Sequence, residues 1–376
     1  FNLNLGVQKK DFGAYDFYTP RKGFFSYEEI DTCLLVSNLK INREDYLIKP
    51  SVLWRRNRDK FILDRYRPNW YTNKHITDVV NPGFYLEKDF LGLGKIDVNI
   101  ESRQENIRST RLKKRKRNIK SFLIENKKQY TKNLSSILSF RYDSSEENDR
   151  YFNGAFKLEY NLFDRGDLFL GISRNVRFPN FTELYYEDPT TIGNKNLSAE
   201  KFLNSEIVYQ YVKNDTLFKF SLFFREEEDG IDWIKYKNHQ AKWKAYNLPS
   251  VYIKGLEYLF EINIKDIYKF FLHYIYVDKE NPQHIIFKYG PNYSRHKVSF
   301  CNHFNFSSCK LNFNLSYKKR PRHRGWFIID TLLSYKLNKN LAFYINIYNL
   351  FNEEYQDIPG IPSDKRQFEF GMKFSW

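Results

Sequence analysis

Cys309-Lys310-Leu311-Asn312-Phe313-Asn314-Leu315-Ser316-Tyr317-Lys318 alternates without a break, Cys309, Leu311, Phe313, Leu315 and Tyr317 on one parity and polar residues on the other. Successive side chains of a strand point to opposite faces, so this segment reads as a strand with one apolar and one polar face. Residues 152–162 repeat the pattern, setting Phe152, Gly154, Phe156, Leu158, Tyr160 and Leu162 against Asn153, Ala155, Lys157, Glu159 and Asn161. The last nine residues do so again, with Phe368, Phe370, Met372, Phe374 and Trp376 opposed to Glu369, Gly371, Lys373 and Ser375. Each run is about 9–11 residues, the length a tilted strand needs to cross a bilayer.

Working outward from these runs, the same reading places about 18 strands, near 1–12, 25–40, 45–59, 74–89, 94–109, 118–127, 133–144, 151–162 and 168–177, and then near 200–212, 216–226, 250–263, 267–278, 295–306, 309–318, 326–337, 341–350 and 367–376. No segment carries an apolar stripe at the helical period. Short connections, near 41–44, 90–93, 128–132, 163–167, 213–215, 264–266, 307–308 and 338–340, alternate with long ones near 13–24, 60–73, 178–199, 227–249, 279–294 and 351–366. Two connections of middling length, 110–117 and 145–150, fall on the long side. Short turns on one rim and long loops on the other describe an all-β fold, a transmembrane antiparallel barrel. A propeller would repeat four-stranded blades at a fixed period, and no such repeat occurs.

Composition agrees. The 376 residues include 35 Phe, 29 Tyr and 6 Trp, yet mean hydropathy is −0.66. The longest purely apolar run, Leu341 to Ile345, is far short of the about 20 residues that a spanning helix needs. A membrane barrel needs apolar side chains only at alternate positions, so its hydropathy stays low while one face is greasy. Aromatic girdles at both interfaces account for the rings, and Tyr211, Tyr317, Tyr335 and Trp376 lie near expected strand ends. Net charge is +16, which raises a nucleic-acid partner, but the basic residues are spread over nearly every segment and none is assigned. Cys33, Cys301 and Cys309 lack metal or redox spacing and are expected to be free thiols. No catalytic constellation, phosphate loop, cofactor site or metal site is found, so an enzyme is not expected. The chain starts at Phe1 with no leader, which reads as a processed piece or fragment.

Four stretches resemble the barrel domain of TonB-dependent outer-membrane receptors. Arg177, Pro179, Glu183, Leu184 and Tyr185 resemble the family's R-x-P-x-x-x-E-L-Y element; Gly193, Asn194, Leu197 and Glu200 resemble the G-N-x-x-L-x-x-E that follows. Asn247 with Gly255 and Glu257 resembles N…G-x-E, and Asn346, Asn349, Leu350, Phe351 and Tyr355 resemble N-x-x-N-L-F-x-x-x-Y, followed by Gly360, Pro362, Arg366 and the terminal Trp376. Within the family, Asp11-Phe12-Gly13-Ala14-Tyr15-Asp16-Phe17-Tyr18 looks most like the cobalamin-receptor group. The resemblance implies that residues 1–376 are one domain, the C-terminal part of a barrel of roughly 22 strands, with the N-terminal plug, TonB box and first strands outside it.

It further implies a receptor of the cell outer membrane, active in uptake of a scarce nutrient: cobalamin or another corrinoid, with an iron–siderophore complex as the alternative. Its implied partners are outer-membrane lipid and lipopolysaccharide, the TonB–ExbB–ExbD complex through the N-terminal region, and the barrel-assembly machinery through the C-terminal strand. From the residues themselves, Arg177 and Glu183 flank Pro179 and could fix the exit of a long loop, and Asn349 suits a turn. Tyr185, Tyr186, Trp233, Trp243, Tyr246 and Tyr355 lie on long loops and could grip a ring-rich ligand, or only pack the loops together. Two basic clusters, one including Arg115, Lys116 and Arg117 and the other Arg320, Arg322 and Arg324, could bind lipopolysaccharide phosphates or an anionic ligand, or form solvated loop faces. A passive porin or structural barrel is the rival of another class.

Overall fold

The computed structural model describes residues 1–15, 23–146, 149–236, 242–280, 285–288, 293–321, 323–357 and 362–375. Asp16, Phe17, Tyr18, Arg322, Gly360 and Trp376, singled out above, lie outside the described residues. The chain opens with β1 (Asn2–Gly13), β2 (Tyr27–Asn38), β3 (Ile41–Asn42), β4 (Tyr46–Ile62), β5 (Thr72–Phe90) and β6 (Gly94–Ser109). It continues with β7 (Lys113–Gln129), β8 (Leu134–Ser145), β9 (Arg150–Asn161), β10 (Asp167–Arg177), the helix α1 (Phe181–Tyr185) and β11 (Thr191–Ile192). Next come β12 (Glu200–Lys213), β13 (Thr216–Glu228), β14 (Ile231–Tyr236), β15 (Trp243–Asn247), β16 (Val251–Ile264), β17 (Tyr268–Lys279) and β18 (Ile285–Phe287). Last are β19 (His296–Asn305), β20 (Cys309–Lys319), β21 (Trp326–Lys336), β22 (Leu341–Tyr348) and β23 (Gln367–Phe374).

Eighteen of these strands pair antiparallel, each with the next long strand of the chain, into one up-and-down wall running from β1 to β23. The stretch Cys309–Lys318 is β20, central among β19 and β21, with Phe313 opposite Asn302 and Thr331. Among the described residues no ladder joins β1 to β23. Connections alternate as expected: turns such as 91–93, 214–215 and 265–267 sit on one rim, while 178–199, 229–250 and 349–366 rise from the other.

Register assigns every side chain to a face, because directly opposed residues share one. One row runs Leu158, Leu170, Ile207, Leu222, Leu256 across β9, β10, β12, β13 and β16. With the rows through Phe152, Ile345 and Phe370 it forms a continuous apolar outer surface; Phe152 is 70% and Phe370 71% exposed. Tyr211, Tyr317 and Tyr335 stand on this same parity. The opposite face is polar and internally paired: Ser121 donates to Asp143 at 2.5 Å, Arg141 and Asn153 donate to the same carboxylate at 2.9 and 2.8 Å, and Lys127 meets Asp97 at 2.6 Å. These networks partner the buried charges on that face, although Asp97 Oδ1 and Asn153 Oδ1 are among the buried polar atoms without a hydrogen-bond partner among the described residues.

The cysteine expectation matches the register. Cys301 opposes Asn314, Phe306 and Cys309 exchange backbone hydrogen bonds of 2.8 and 3.2 Å around Ser307-Ser308, and all three thiols are free.

Two expectations are corrected. Arg115, Lys116 and Arg117 are not loop residues: the β6–β7 ladder runs up to Ser109 opposite Lys113, leaving only 110–112 as the turn. In addition, the connections read as loops at 178–199, 227–249 and 279–294 contain strands among their described residues. They carry a second sheet, β11–β15–β14–β18, with β11 parallel to β15 and the remaining pairs antiparallel.

Candidate functional site

Asn180 ends the exit of β10 and caps α1 with a reciprocal pair of bonds, its side chain accepting the Glu183 N–H at 2.9 Å and Glu183 accepting the Asn180 N–H at 2.8 Å. The capping residue fixes the start of this single helical turn. The Arg177 guanidinium then donates twice to Glu183, at 3.0 and 3.1 Å, and through Nε to Glu200. Glu200 in turn accepts the backbone N–H of Ile231 at 2.6 Å. One arginine at a strand end therefore ties the loop after β10 to the loop after β13.

Gly193 and Asn194 complete the anchor. The Asn194 N–H reaches the Glu183 carbonyl at 2.9 Å and the Gly193 N–H reaches that of Tyr186 at 2.6 Å. A Cβ on Gly193 would lie 2.8 Å from the Glu183 carbonyl oxygen, so only glycine allows this approach. Asn247 clamps the other side, accepting the Ser198 N–H at 2.9 Å and donating to the Ser198 and Asp229 carbonyls at 3.0 and 2.7 Å.

Over these anchors the loops build a small core of Leu184, Leu197, Trp233 and Ala245, with Tyr185, Tyr186 and Trp243 packed against it. Trp233 is 8% exposed, so its ring is spent on holding the loops together. Tyr186 donates to Asp188 at 3.1 Å and accepts from Tyr71 at 2.7 Å. Burial and these neighbours raise its pKa well above the ordinary tyrosine value, so it stays protonated.

A row of arginines stacks on aromatic rings beside this core. Arg111 lies over Tyr71 at 4.7 Å, Arg115 over Tyr185 at 4.2 Å and Arg117 over Phe181 at 5.2 Å. Arg117 also pairs with Glu105 at 2.6 Å and donates to the Pro179 carbonyl at 2.6 Å. By register Arg115 and Arg117 share the inward face with Ser121, whereas Lys114 and Lys116 face outward.

A second locality forms where 320–325 meets 349–366. Asn349, in the left-handed region at φ 52°, donates to the Glu353 carbonyl at 2.9 Å, and its own N–H reaches Asp330 at 2.8 Å. The turn it sets carries Tyr355 back onto Trp326, ring centroids 4.5 Å apart. These rings line a cleft of about 490 Å³ together with Arg320, His323, Arg324, Lys365 and the carboxylates Glu353 and Glu354. Arg324 meets Glu353 at 3.6 Å with its side chain 89% exposed, while Lys318 and Arg320 hold Asp357. Burial raises the Tyr355 pKa.

The sequence-derived candidates thus divide. Tyr355, Arg320 and Arg324 come together in one cleft; Tyr185, Tyr186, Arg115 and Arg117 come together beside the loop core. Tyr246 lies under Lys244, centroid at 4.9 Å, and Trp243 under Lys235 at 4.9 Å, both on the loop sheet. Gly255 is covered by Phe223, Glu257 accepts from His273 at 2.6 Å on the wall, and Phe351 packs on Phe327 at 6.2 Å. Sequence reasoning passed over Trp326, whose signal was only its place at the start of β21. Among the described residues, no group of His, Cys, Asp and Glu could hold a metal ion.

The family described as TonB dependent receptor-like, beta-barrel, matches residues 8–350. Among solved structures, a mutant of the ferric enterobactin receptor of Pseudomonas aeruginosa is 13% identical, with a TM-score of 0.74 over 100% of this chain and 67% of its own. The siderophore receptor PirA of Acinetobacter baumannii is 12% identical, with a TM-score of 0.76 over 100% of this chain and 68% of its own. The ferric-catecholate import receptor Fiu of E. coli K12 is 13% identical, with a TM-score of 0.69 over 99% of this chain and 71% of its own. This chain therefore spans about two thirds of the length of the receptors it resembles. No curated protein matches the sequence.

Proposed function

This chain belongs to the TonB-dependent receptor family of β-barrels, and from that premise we propose that it serves uptake of a ferric siderophore across the outer membrane. Residues 1–376 act in this proposal as a single barrel unit, and coupling to TonB–ExbB–ExbD belongs to the full-length receptor. The observation that carries the substrate class is the cleft in which Trp326 and Tyr355 stand together among Arg320, Arg324 and Lys365. Ring-bearing anionic chelates, such as a ferric tris-catecholate, match flat aromatic walls with cations at the edge. The structural relatives named above are siderophore receptors, which supports the iron–siderophore alternative and lends no support to the corrinoid reading suggested by Asp11-Phe12-Gly13.

Trp326 supplies the test. Titrating the full-length receptor with a ferric tris-catecholate is expected to quench tryptophan fluorescence, and Trp326→Ala or Arg320→Ala to weaken binding about tenfold, a loss of about 1.4 kcal/mol. Undiminished affinity in both variants would remove the cleft from the ligand path.

A further inference from the structure

Across β1, β2, β4 and β5 the outer face changes character twice along the strands. Its apolar surface includes the row Leu5, Leu35, Trp54, Val80, and a mixed row of Val7, Cys33, Arg56 and Asp78 follows toward the long-loop rim. Two rows dominated by charge come next, Lys9, Asp31, Arg58 and then Asp11, Glu29, Lys60, Lys74. Beyond them Tyr27 and Ile62 open a second apolar zone. Arg65 lies over Tyr27 at 5.9 Å and over Tyr66 at 5.3 Å, Tyr66 meets Phe25 edge-on at 5.4 Å, and Phe25 meets Tyr15 at 5.3 Å.

This aromatic cap is not part of an interfacial girdle. From Trp54 to Ile62 the strand climbs about 26 Å along its length, or about 20 Å in height at the tilt of such barrels. The interfacial zone outside the hydrocarbon is only about 5–8 Å deep. Tyr15, Phe25 and Tyr66 nevertheless stand 55, 50 and 69% exposed, and an exposed aromatic patch rimmed by charge marks an interaction surface. The charge beneath the cap divides down the middle. Asp11, Glu29 and Asp31 stand on β1 and β2, where Lys9 is their only opposing cation in these rows, and Arg58, Lys60 and Lys74 stand on β4 and β5. Lys60 takes Glu29 at 2.9 Å and Lys9 takes Asp11 at 3.8 Å within the chain. Asp31, Arg58 and Lys74 are exposed and have no ion pair among the described residues, although Asp31 and Arg58 are directly opposed in register.

Such a face is complementary to itself. Two copies side by side in one membrane, related by a two-fold axis along its normal, bring the β1–β2 half of each against the β4–β5 half of the other. We propose that the receptor pairs with a second copy of itself through this face. Asp31 of each copy meets Arg58 of the other, Asp11 meets Lys74, and the two aromatic caps cover one another above the membrane. The pairing is independent of the ligand proposed above.

The test places full-length receptor, labelled in separate portions with donor and acceptor dyes, in bilayers without ligand. The wild type is expected to show energy transfer that unlabelled receptor competes away. Asp31→Arg and Arg58→Asp, each alone, set like charges across the axis and are expected to weaken association about tenfold or more. Mixed with each other the two variants are expected to regain it, because each then supplies the charge the other lacks, a rescue that damaged folding could not produce. Heat-modifiable migration checks the fold of each variant, and Tyr66→Ser is expected to weaken association as well. A wild type that stays monomeric, charge variants that associate as the wild type does, or a mixture no better than either variant alone would overturn the proposal. Loss of the ferric-siderophore reading would leave these outcomes unchanged, so the two fail separately.

Discussion

Arg177 illustrates how one side chain at a strand end organises a loop. Its guanidinium spans Glu183 and Glu200, and Glu200 passes the connection to Ile231 in another loop. Charge-assisted bonds are the stronger class, and losing one partner leaves two largely buried carboxylates facing each other. Arg177→Ala is therefore expected to cost about 1–3 kcal/mol of loop stability, seen as faster limited proteolysis within 178–199 and 229–250 while the wall strands stay protected. Unchanged cleavage would show that the loop core holds without the triad. The motif spacing around Pro179 made Arg177 and Glu183 legible from sequence, since they sit six residues apart across a strand end. Glu200 to Ile231 was not legible, because a carboxylate seeking a backbone N–H in a distant loop leaves no pattern.

Tyr186 gives the same loops a dependence on pH. Folding holds its hydroxyl protonated, so its contribution is complete below the free tyrosine pKa of about 10 and is lost as pH climbs through the raised value. Tryptophan emission from Trp233 and Trp243 is expected to shift as pH climbs beyond that free value, and Tyr186→Phe to flatten the shift. Identical alkaline profiles for both proteins would contradict the assignment.

At the scale of the element, alternation decides nearly everything. Phe313 faces outward from the middle of β20, between Asn302 and Thr331. An arginine there would stand in hydrocarbon, at a cost of about 2–4 kcal/mol near the bilayer midplane. Phe313→Arg is expected to lower the urea midpoint for unfolding from bilayers accordingly, while Asn312→Arg, one residue along on the opposite face, costs little. A matching loss in both variants would mean that the faces were assigned wrongly.

The wall strands were legible because side-chain period and bilayer length impose the same constraint on each. The residues 94–109 were expected as a strand and form β6 with those bounds. Alternation predicts only 118–127 of β7, because Lys113 to Arg117 lacks it, yet the ladder to β6 continues through Lys113. There the strand rises above the apolar belt, so neither of its faces needs to be greasy. The loop strands β14 and β15 escaped for a related reason: Ile231-Asp232-Trp233 and Trp243-Lys244-Ala245 alternate, but they are too short to stand apart from loop sequence.

For the whole molecule, the polar yet aromatic composition follows from one wall with two solvents. Lipid meets the rows of Phe, Leu and Ile, and the lumen meets the networks around Asp143, Asp97 and Glu105. Long loops on a single rim then fold into a sheet of their own and leave a cationic, aromatic cleft between 320–325 and 349–366. The substrate class was the least legible part of the sequence, because the cleft joins residues from two separate loops and its walls, Trp326 and Tyr355, meet only once Asn349 has turned the chain. Transport of labelled iron tests the central claim most directly. Cells carrying the full-length gene are expected to accumulate iron from a ferric catecholate, a deletion strain to lose that uptake, and both to take up labelled cobalamin equally. Unchanged iron uptake on deletion, with cobalamin uptake lost, would contradict the account.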